Sequence, residues 1–377
     1  MQESVIARPS WEKKLHPDPA RSYTLPSRYY TDPAIYAREA EAVFFRNWLY
    51  AGHVSDLPRP GCYKTVDILN QSVILLRGKD GEIRAFYNVC QHRAHELLRG
   101  KGEAKVITCP YHAWSYHLTG ELRTARGSEK AEGFRKEEFC LKPVRLEALG
   151  PLLFINLDPA AIPLAEQAPG LLAEFRQHIP AFDRLIKTDG SASEVQANWK
   201  TVVDNYVECY HCNNAHPAFA QLIDLDSYKI VTEGIYSSQL GKSGRPDNAA
   251  FAFSKDDPVQ VGAFWWLWPT FTMNVTPGEH NMTLFWMVPL GPERTLQLSE
   301  NFHLVAESNP SRAARRAYGR NIISAEDNGI CEAVQRGLNS KGYSQGRFMV
   351  DLEHGDATEH AVHHFHMLYA DAMGEAR

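Results

Sequence analysis

Cys90-Gln91-His92 and, after sixteen intervening residues, Cys109-Pro110-Tyr111-His112 decide the reading of this chain. Each stretch offers one thiolate and one imidazole. The set can therefore hold a [2Fe–2S] cluster with Cys90 and Cys109 on one iron and His92 and His112 on the other. Two imidazoles in place of two thiolates raise the potential of such a cluster above that of an all-Cys ferredoxin. A structural zinc site uses the same residue types. Zinc fingers, however, keep each ligand pair homogeneous, C-x-x-C and then H-x-x-x-H, and here both pairs are mixed, which favours the cluster. His95 and His117 lie off this spacing and are expected beside the site or on the surface.

Around the motif the sequence has the period of short strands: Tyr63–Ile68, Val73–Arg77, a Lys79-Asp80-Gly81 turn, Ile83–Val89, and a closing strand over 152–157. A cluster domain is expected over 45–157. Upstream, 1–44 is a Pro-rich segment expected to pack on another domain. It ends in a helix with Asp32 as N-cap, Pro33 at the first position, and Tyr36, Ala40, Val43, Phe44 and Trp48 on one face. Pro159, Pro163 and Pro169 suggest a linker, and 158–377 a second domain that opens with a helix over 171–178. The expected class is α+β, since 377 residues exceed what one core comfortably holds.

The net charge of −5 without a basic run argues against nucleic acid or an anionic membrane as partner. No stretch approaches the ~20 apolar residues of a membrane span, and 1–20 lacks an apolar signal core, so a cytoplasmic protein is expected. Seven cysteines, an odd number without regular spacing, do not make a disulfide framework; Cys62, Cys140, Cys209, Cys212 and Cys331 are expected as reduced thiols. Cys209-x-x-Cys212 could be half a zinc site, but no second pair completes it.

The second informative stretch runs from Asn198-Trp199-Lys200 to His216-Pro217. Val202, Val203, Tyr206, Val207 and Tyr210 recur at helical spacing, which predicts an amphipathic helix to about Cys212. At about 100° per residue, Asp204, Glu208 and His211 share a stripe. Asn213-Asn214 and Pro217 suggest unwinding that turns His216 back toward His211. Two imidazoles and a carboxylate on one side of Fe(II) leave positions open for O2 and substrate. For the carboxylate, Ser324-Ala325-Glu326-Asp327 opens a late helix. A capping box, Ser324 with Asp327, is the structural alternative. By phase, though, Asp327 joins Ile330, Cys331, Val334 and Leu338 on an apolar stripe, whereas Glu326 is turned away; a carboxylate aimed into a core needs a cation. His360, His363, His364 and His366 are expected on a surface or interface face of a terminal helix.

The string Cys90-Gln91-His92-Arg93-Ala94-His95-Glu96 … Cys109-Pro110-Tyr111-His112-Ala113-Trp114, followed by the Asn-Trp-Lys helix, the paired His and the late Asp, resembles the oxygenase subunits of Rieske non-haem iron oxygenases over nearly the whole chain. The resemblance implies an antiparallel catalytic sheet flanked by helices and a head-to-tail homotrimer. It also implies a Rieske [2Fe–2S] cluster, a mononuclear Fe(II) on His211, His216 and Asp327, and a carboxylate three residues before His211 that bridges a cluster His of one subunit to an iron-ligand His of the next. That position is Glu208, where ring-hydroxylating dioxygenases usually have Asp. Glu208 and the string from Asp204-Asn205-Tyr206 to Cys212 are similar to the branch acting on carnitine and betaines. Asp204, Asn205 and Glu208 are thus the candidate catalytic side chains. Quaternary ammonium ions bind over aromatic faces; Phe264-Trp265-Trp266-Leu267-Trp268 and Phe285-Trp286 concentrate aromatics that the implied fold places near the iron, and Phe264, Trp265, Trp266 and Trp268, with Tyr206, are the candidate substrate contacts. The implied activity is hydroxylation of a quaternary ammonium substrate by O2, leading to N-demethylation or C–N cleavage; an aromatic ring hydroxylase or aryl O-demethylase is the alternative. With no dinucleotide fingerprint in the chain, electrons are expected from a separate NAD(P)H-dependent flavin/[2Fe–2S] reductase.

Overall fold

Alternating apolar and polar residues between 49 and 156 form an antiparallel sheet. Its seven strands lie in the order Leu49–His53, Leu152–Asn156, Pro143–Leu149, Ile83–Tyr87, Gln71–Arg77, Cys62–Ile68 and Lys101–Glu103. Leu152–Asn156 is buried at every position, as a strand covered on both faces must be. A smaller sheet of Ile107–Thr108, Ser115–Tyr116 and Leu122–Thr124 carries the second motif loop. The structure, a computed structural model, describes residues 12–351 and 358–375; Pro9 and the start of the N-terminal segment lie outside them. None of the helices among the described residues is long and apolar enough to cross a membrane.

The chain divides into a unit of 44–167 and a unit formed by 1–43 with 168–377. The first ends after Gln167 instead of Leu157, because the expected linker is not open chain. Leu164–Gln167 forms a helical turn whose Leu164 N–H donates to Glu147 Oε2 at 2.7 Å.

The second unit is built on a seven-stranded antiparallel sheet ordered Ile186–Val195, Arg294–His303, Met282–Gly291, Phe271–Val275, Val261–Leu267, Tyr236–Ser243 and Ile223–Glu233. Three helices meet around one buried charge pair: α1 (Pro33–Glu39), α3 (Trp199–Tyr206) and α7 (His360–Ala372), while α2 (Leu171–His178) lies elsewhere in the unit. Asp32 caps α1 as expected, but its buried face is Ile35, Glu39 and Val43, not Tyr36 and Ala40. Glu39 is inside because Lys200 is there too: Nζ lies 2.5 Å from Glu39 Oε1, and both side chains are fully buried. Glu39 also accepts from Trp199 Nε1 and from the Tyr369 hydroxyl, each at 2.7 Å. Burial pulls the Lys200 pKa down, and Glu39 opposes that pull.

The histidines of α7 are not a surface face. His366 takes Leu25 N–H on Nδ1 and meets Asp204 Oδ1 at 2.8 Å through Nε2; His363 Nε2 is 2.7 Å from His16 O, and His360 and His364 reach Ile230 O and Gly234 O. Imidazole nitrogens facing buried carbonyls and carboxylates are cheaper to bury than to expose unpaired neighbours, and so they anchor the terminal helix.

Removing one partner of a buried ion pair leaves the other charge stranded. Glu39→Ala is expected to destabilise the second unit by about 3–5 kcal/mol, read by denaturant unfolding. The Glu39→Leu/Lys200→Met pair should lose less than Glu39→Ala alone.

Candidate active site

In the first unit the two motif loops are built alike. Ala94 N–H closes on Cys90 O at 3.0 Å and Ala113 N–H on Cys109 O at 3.1 Å. Ala94 and Ala113 sit at φ 54° and 59°, a left-handed conformation that Ala adopts only under constraint from its surroundings. Cys90 and Cys109 are buried in the apolar cluster of Ile74, Phe86, Ile107 and Trp114. The ring centroids of His92 and His112 are 4.7 Å apart, and His92 stacks on Trp114 at 4.6 Å. His112 Nδ1 is buried with no hydrogen-bond partner among the described residues. An unpaired imidazole nitrogen beside a second imidazole and two thiols is the donor set a [2Fe–2S] cluster requires. The Tyr116 hydroxyl lies 3.3 Å from Cys90 Sγ and accepts from Gln91 N–H, so it can hydrogen-bond a ligating sulfur and tune the potential. His95 is on the surface, its Nδ1 at 2.5 Å from Glu96 O.

In the second unit α3 ends at Tyr206, six residues before the expected Cys212. The reason is local. Continuing the helix would need Tyr210 and His211 N–H to reach the carbonyls of Tyr206 and Val207. Instead the Glu208 carboxylate accepts both N–H groups, and Tyr206 O is taken by Gln239 Nε2 at 2.7 Å. Cys209 and Cys212 are joined by a disulfide, not held as the expected thiols. The four-residue α4 (Cys212–Ala215) then delivers His216.

Asp327 comes from α6 (Ser324–Leu338). Ser324 is no N-cap, because α5 (Pro310–Tyr318) runs into α6 through a wider π-type turn over 319–323. The buried stripe of α6 is Cys331, Gln335 and Leu338, whereas Val334 is exposed. Gln335 is inside because Oε1 accepts from Asn198 N–H at 2.9 Å.

His216 Nε2 stands 3.1 Å from His211 Nε2 and 2.9 Å from Asp327 Oδ1; His211 Nε2 is 3.7 Å from the same oxygen. These three atoms lie within 4.8 Å of one another. Two imidazole nitrogens converging on one carboxylate oxygen fit a two-His, one-carboxylate metal centre. Each imidazole has its own carboxylate behind it: Glu208 Oε1 at 2.5 Å from His211 Nδ1, and Glu326 Oε2 at 2.8 Å from His216 Nδ1. Burial would lower the His216 pKa, but Asp327 and Glu326 outweigh it and raise it, so a proton competes with metal there. Glu326 is the residue that sequence phase dismissed. It is turned from Asp327 and reaches the far side of the same imidazole, which only the tertiary placement of His216 makes visible.

The donors line a cavity of about 150 Å³. Its aromatic wall is Tyr206, Phe219, Tyr228, Phe264, Phe285 and Trp286. Of the expected contacts, Phe264 and Tyr206 are present, but Trp265, Trp266 and Trp268 are not part of this wall. Trp265 Nε1 is bound by Glu174, Trp266 Nε1 by Pro269 O, and Trp268 packs on Trp199 and Phe365. They are core residues of the sheet. The Tyr206 hydroxyl donates to Asn274 Oδ1 and lies 3.1 Å from Trp265 O, so only its ring is offered. Asn205 lines the cavity. Asp204 does not; it binds the Tyr30 hydroxyl at 2.7 Å and His366.

Residues 182–375 match the family described as ring hydroxylating alpha subunit (catalytic domain), and 47–135 match the Rieske [2Fe–2S] domain. The chain is 39% identical to the carnitine monooxygenase oxygenase subunit of Escherichia coli (strain K12), covering 94% of this chain and 95% of that protein. It is 31% identical to the chloroplastic choline monooxygenase of Beta vulgaris, covering 92% and 76%. Solved structures of a quaternary ammonium Rieske monooxygenase in complex with substrate L-carnitine and with substrate γ-butyrobetaine each superpose with a TM-score of 0.84 at 35% identity, covering 96% of this chain and all of theirs. The chain belongs to the Rieske non-haem iron oxygenases. It is an oxidoreductase whose cofactors are a Rieske [2Fe–2S] cluster and a mononuclear iron, and the expected α+β class holds.

Carboxylates that orient metal-binding imidazoles typically matter tenfold to a hundredfold in metal affinity. Glu326→Ala is expected to weaken Fe(II) binding by about that factor, measured by titrating the cluster-loaded, iron-depleted protein; unchanged affinity would make the Glu326 contact incidental.

Proposed function

We propose that this chain is the oxygenase component of a two-component monooxygenase that hydroxylates a quaternary ammonium compound of the carnitine or betaine type. The observation that carries this is the cavity itself. Six aromatic rings surround it, and no Lys or Arg is among its lining residues; its carboxylates, Glu208 and Asp327, are taken up by His211 and by the metal set. Such a wall attracts a cation whose charge is spread over methyl groups, at up to ~2 kcal/mol per desolvated ring contact. The relatives named for carnitine and choline oxidation support the same class.

In this reading Cys90, His92, Cys109 and His112 hold the cluster, and His211, His216 and Asp327 hold the iron. Iron so bound supplies reductive activation of O2. The chain's own residues do the rest. Glu208 and Glu326 fix the two imidazoles, the aromatic wall seats the ammonium group beside the metal face, and Phe264, Phe285 and Trp286 exclude water from it. A hydroxyl placed on an N-methyl carbon gives a hemiaminal that releases formaldehyde. One placed on the main-chain carbon beside nitrogen releases trimethylamine. Asn205, next to this wall, is assigned a substrate-facing role; Asp204 is a structural partner of His366. Electrons come from a separate NAD(P)H-dependent flavin/[2Fe–2S] reductase, the working assembly is a cytoplasmic homotrimer, and Glu208 passes electrons from the neighbouring subunit's cluster to His211.

Single turnover tests the substrate class: reduced, iron-replete protein is exposed to O2 with L-carnitine, γ-butyrobetaine, glycine betaine, proline betaine, choline or benzoate, and products are identified by mass spectrometry. Trimethylamine or a demethylated amine is expected. Hydroxylated benzoate alone would exclude the quaternary ammonium reading.

Glu208→Gln tests the bridge. The variant should keep cluster absorbance and iron content yet slow substrate-coupled reoxidation of the cluster by at least about tenfold, a loss of roughly 1.4 kcal/mol in barrier terms. Full-speed coupled turnover would end that role.

A further inference from the structure

The metal cavity shares Phe264, Phe285, Gln297, Ser324 and Asn328 with a second cavity of about 490 Å³ beside α5. The two differ in charge. Around the inner one the charged side chains are the carboxylates Glu208 and Asp327, with the two metal-site imidazoles. Around the outer one stand Arg312, Arg315, Arg316 and Arg320 with a single acidic lining residue, Asp189. Arg316 is paired with Asp189 at 2.8 Å. Arg312 takes Glu279 at 3.2 Å and the carbonyls of Val305 and Glu307.

Arg315 is different. Its side chain is 11% exposed, and Nη1 stands 3.8 Å from Glu279 Oε1, outside hydrogen-bond reach. Nη2 donates to Pro277 O at 3.3 Å. Nε and Nη1 are buried and donate to nothing among the described residues. Burial draws its pKa down to about 10, so it carries full charge at neutral pH. A buried charged donor without an acceptor is costly, and native structures rarely keep one without a ligand or water to meet it.

The junction between the cavities is lined by hydrogen-bonding side chains as well. Ser324 and Asn328 lie one turn apart on α6 and so face the same way; Gln297 comes from the strand Arg294–His303. No side-chain hydrogen bond engages any of the three among the described residues, and each is only half-buried.

We propose an anion subsite here: the substrate's carboxylate points from the metal cavity toward the outer one, hydrogen-bonded at the junction by Gln297, Ser324 and Asn328 and balanced in charge by Arg315. The protein thereby selects zwitterionic carboxylated quaternary ammonium compounds over cationic ones such as choline. This rests on the quaternary ammonium reading above and sharpens it. Ammonium group and carboxylate meet different surroundings, aromatic at the metal and positive beyond the junction.

The test compares kcat/KM for L-carnitine and choline, with the holoenzyme and its reductant, in wild type, Arg315→Gln and Gln297→Glu. Wild type should prefer carnitine. Each variant should lower the carnitine-to-choline ratio by about tenfold or more, Gln297→Glu through a lost hydrogen bond to a charged group and Arg315→Gln through the lost counter-charge. The loss should fall on the KM for carnitine. Gln297→Glu should have the larger effect, because it sets a carboxylate where the substrate's own would lie. If Arg315→Gln lowers the melting temperature, Gln297→Glu decides the matter. An unchanged ratio in a stably folded Gln297→Glu overturns the subsite. So does a wild-type preference for choline, which leaves the quaternary ammonium reading standing; turnover of neither compound by wild type overturns both.

Discussion

The geometry of the metal site depends on a charge that has no access to water. Lys200 is the second residue of the helix leading to His211 and His216, and its ammonium group is held by Glu39 with both side chains fully buried. Burying either charge alone would cost several kcal/mol. Neither α1 nor α3 can therefore shift without carrying the other along. Trp199 and Tyr369 donate to the same carboxylate, so the helix before the site, the helix near the N-terminus and the last helix of the chain are tied to one acceptor. Aromatic rings close the arrangement: Lys200 Nζ lies 4.9 Å from the Trp199 ring centre and 5.1 Å from that of Tyr369. Such a triad contributes little net stability compared with an apolar core, but it permits few alternative packings. What it secures is the position of the end of α3.

From that fixed end the chain must bring two imidazoles to one point, which a continuous helix cannot do with residues five apart. It breaks the helix with a side chain. Glu208 captures the amides that the next turn would have used, and the same carboxylate holds His211 Nδ1. One group thus ends the helix and orients the first donor. The second donor is oriented from the opposite side by Glu326, one residue from Asp327. Adjacent residues on a helix point about 100° apart, and here that divergence is used to grip a single imidazole by both nitrogens.

How much of this was legible in the sequence follows from the range of the interactions involved. The strands around the cluster motif and the cap of Asp32 depend on neighbours within a few residues, and they read correctly. His211, His216 and Asp327, on which spacing and family resemblance converge, lie together. The over-long α3 and the misplaced stripe of α6 were argued from periodicity, the surface or interface face of the α7 histidines and the Trp265, Trp266 and Trp268 cage from residue type and place in the chain. Glu208 ends α3 locally, and in each case a partner distant in sequence is also engaged. Gln239 takes the carbonyl of Tyr206, Asn198 draws Gln335 inward, Asp204 receives His366, and Glu174 receives Trp265. Periodicity reports which face of an element is apolar; it carries no information about which polar side chain has a waiting partner.

The tryptophans show what that means for recognition. A run of four aromatics in Phe264–Trp268 invites the idea of a cage, yet alternation along a strand turns Trp265 away from Phe264, and Trp266 and Trp268, which share the parity of Phe264, pack on Phe365 instead of reaching the cavity. Phe264 does reach it. The wall is completed by Tyr228 on the edge strand of the sheet, Phe219 on the helical turn Phe219–Leu222 before it, and Phe285 and Trp286 on the strand two places away from Phe264. A cavity assembled from several strands keeps its shape only as well as the sheet keeps its register. Tyr206 sits over that register, because its hydroxyl, with one proton to donate, lies against Asn274 Oδ1 and the carbonyls of Trp265 and Met273, which face each other across adjacent strands. The aromatic surface offered to a cation and the hydroxyl that is anchored on the sheet beneath it are thus two ends of the same side chain.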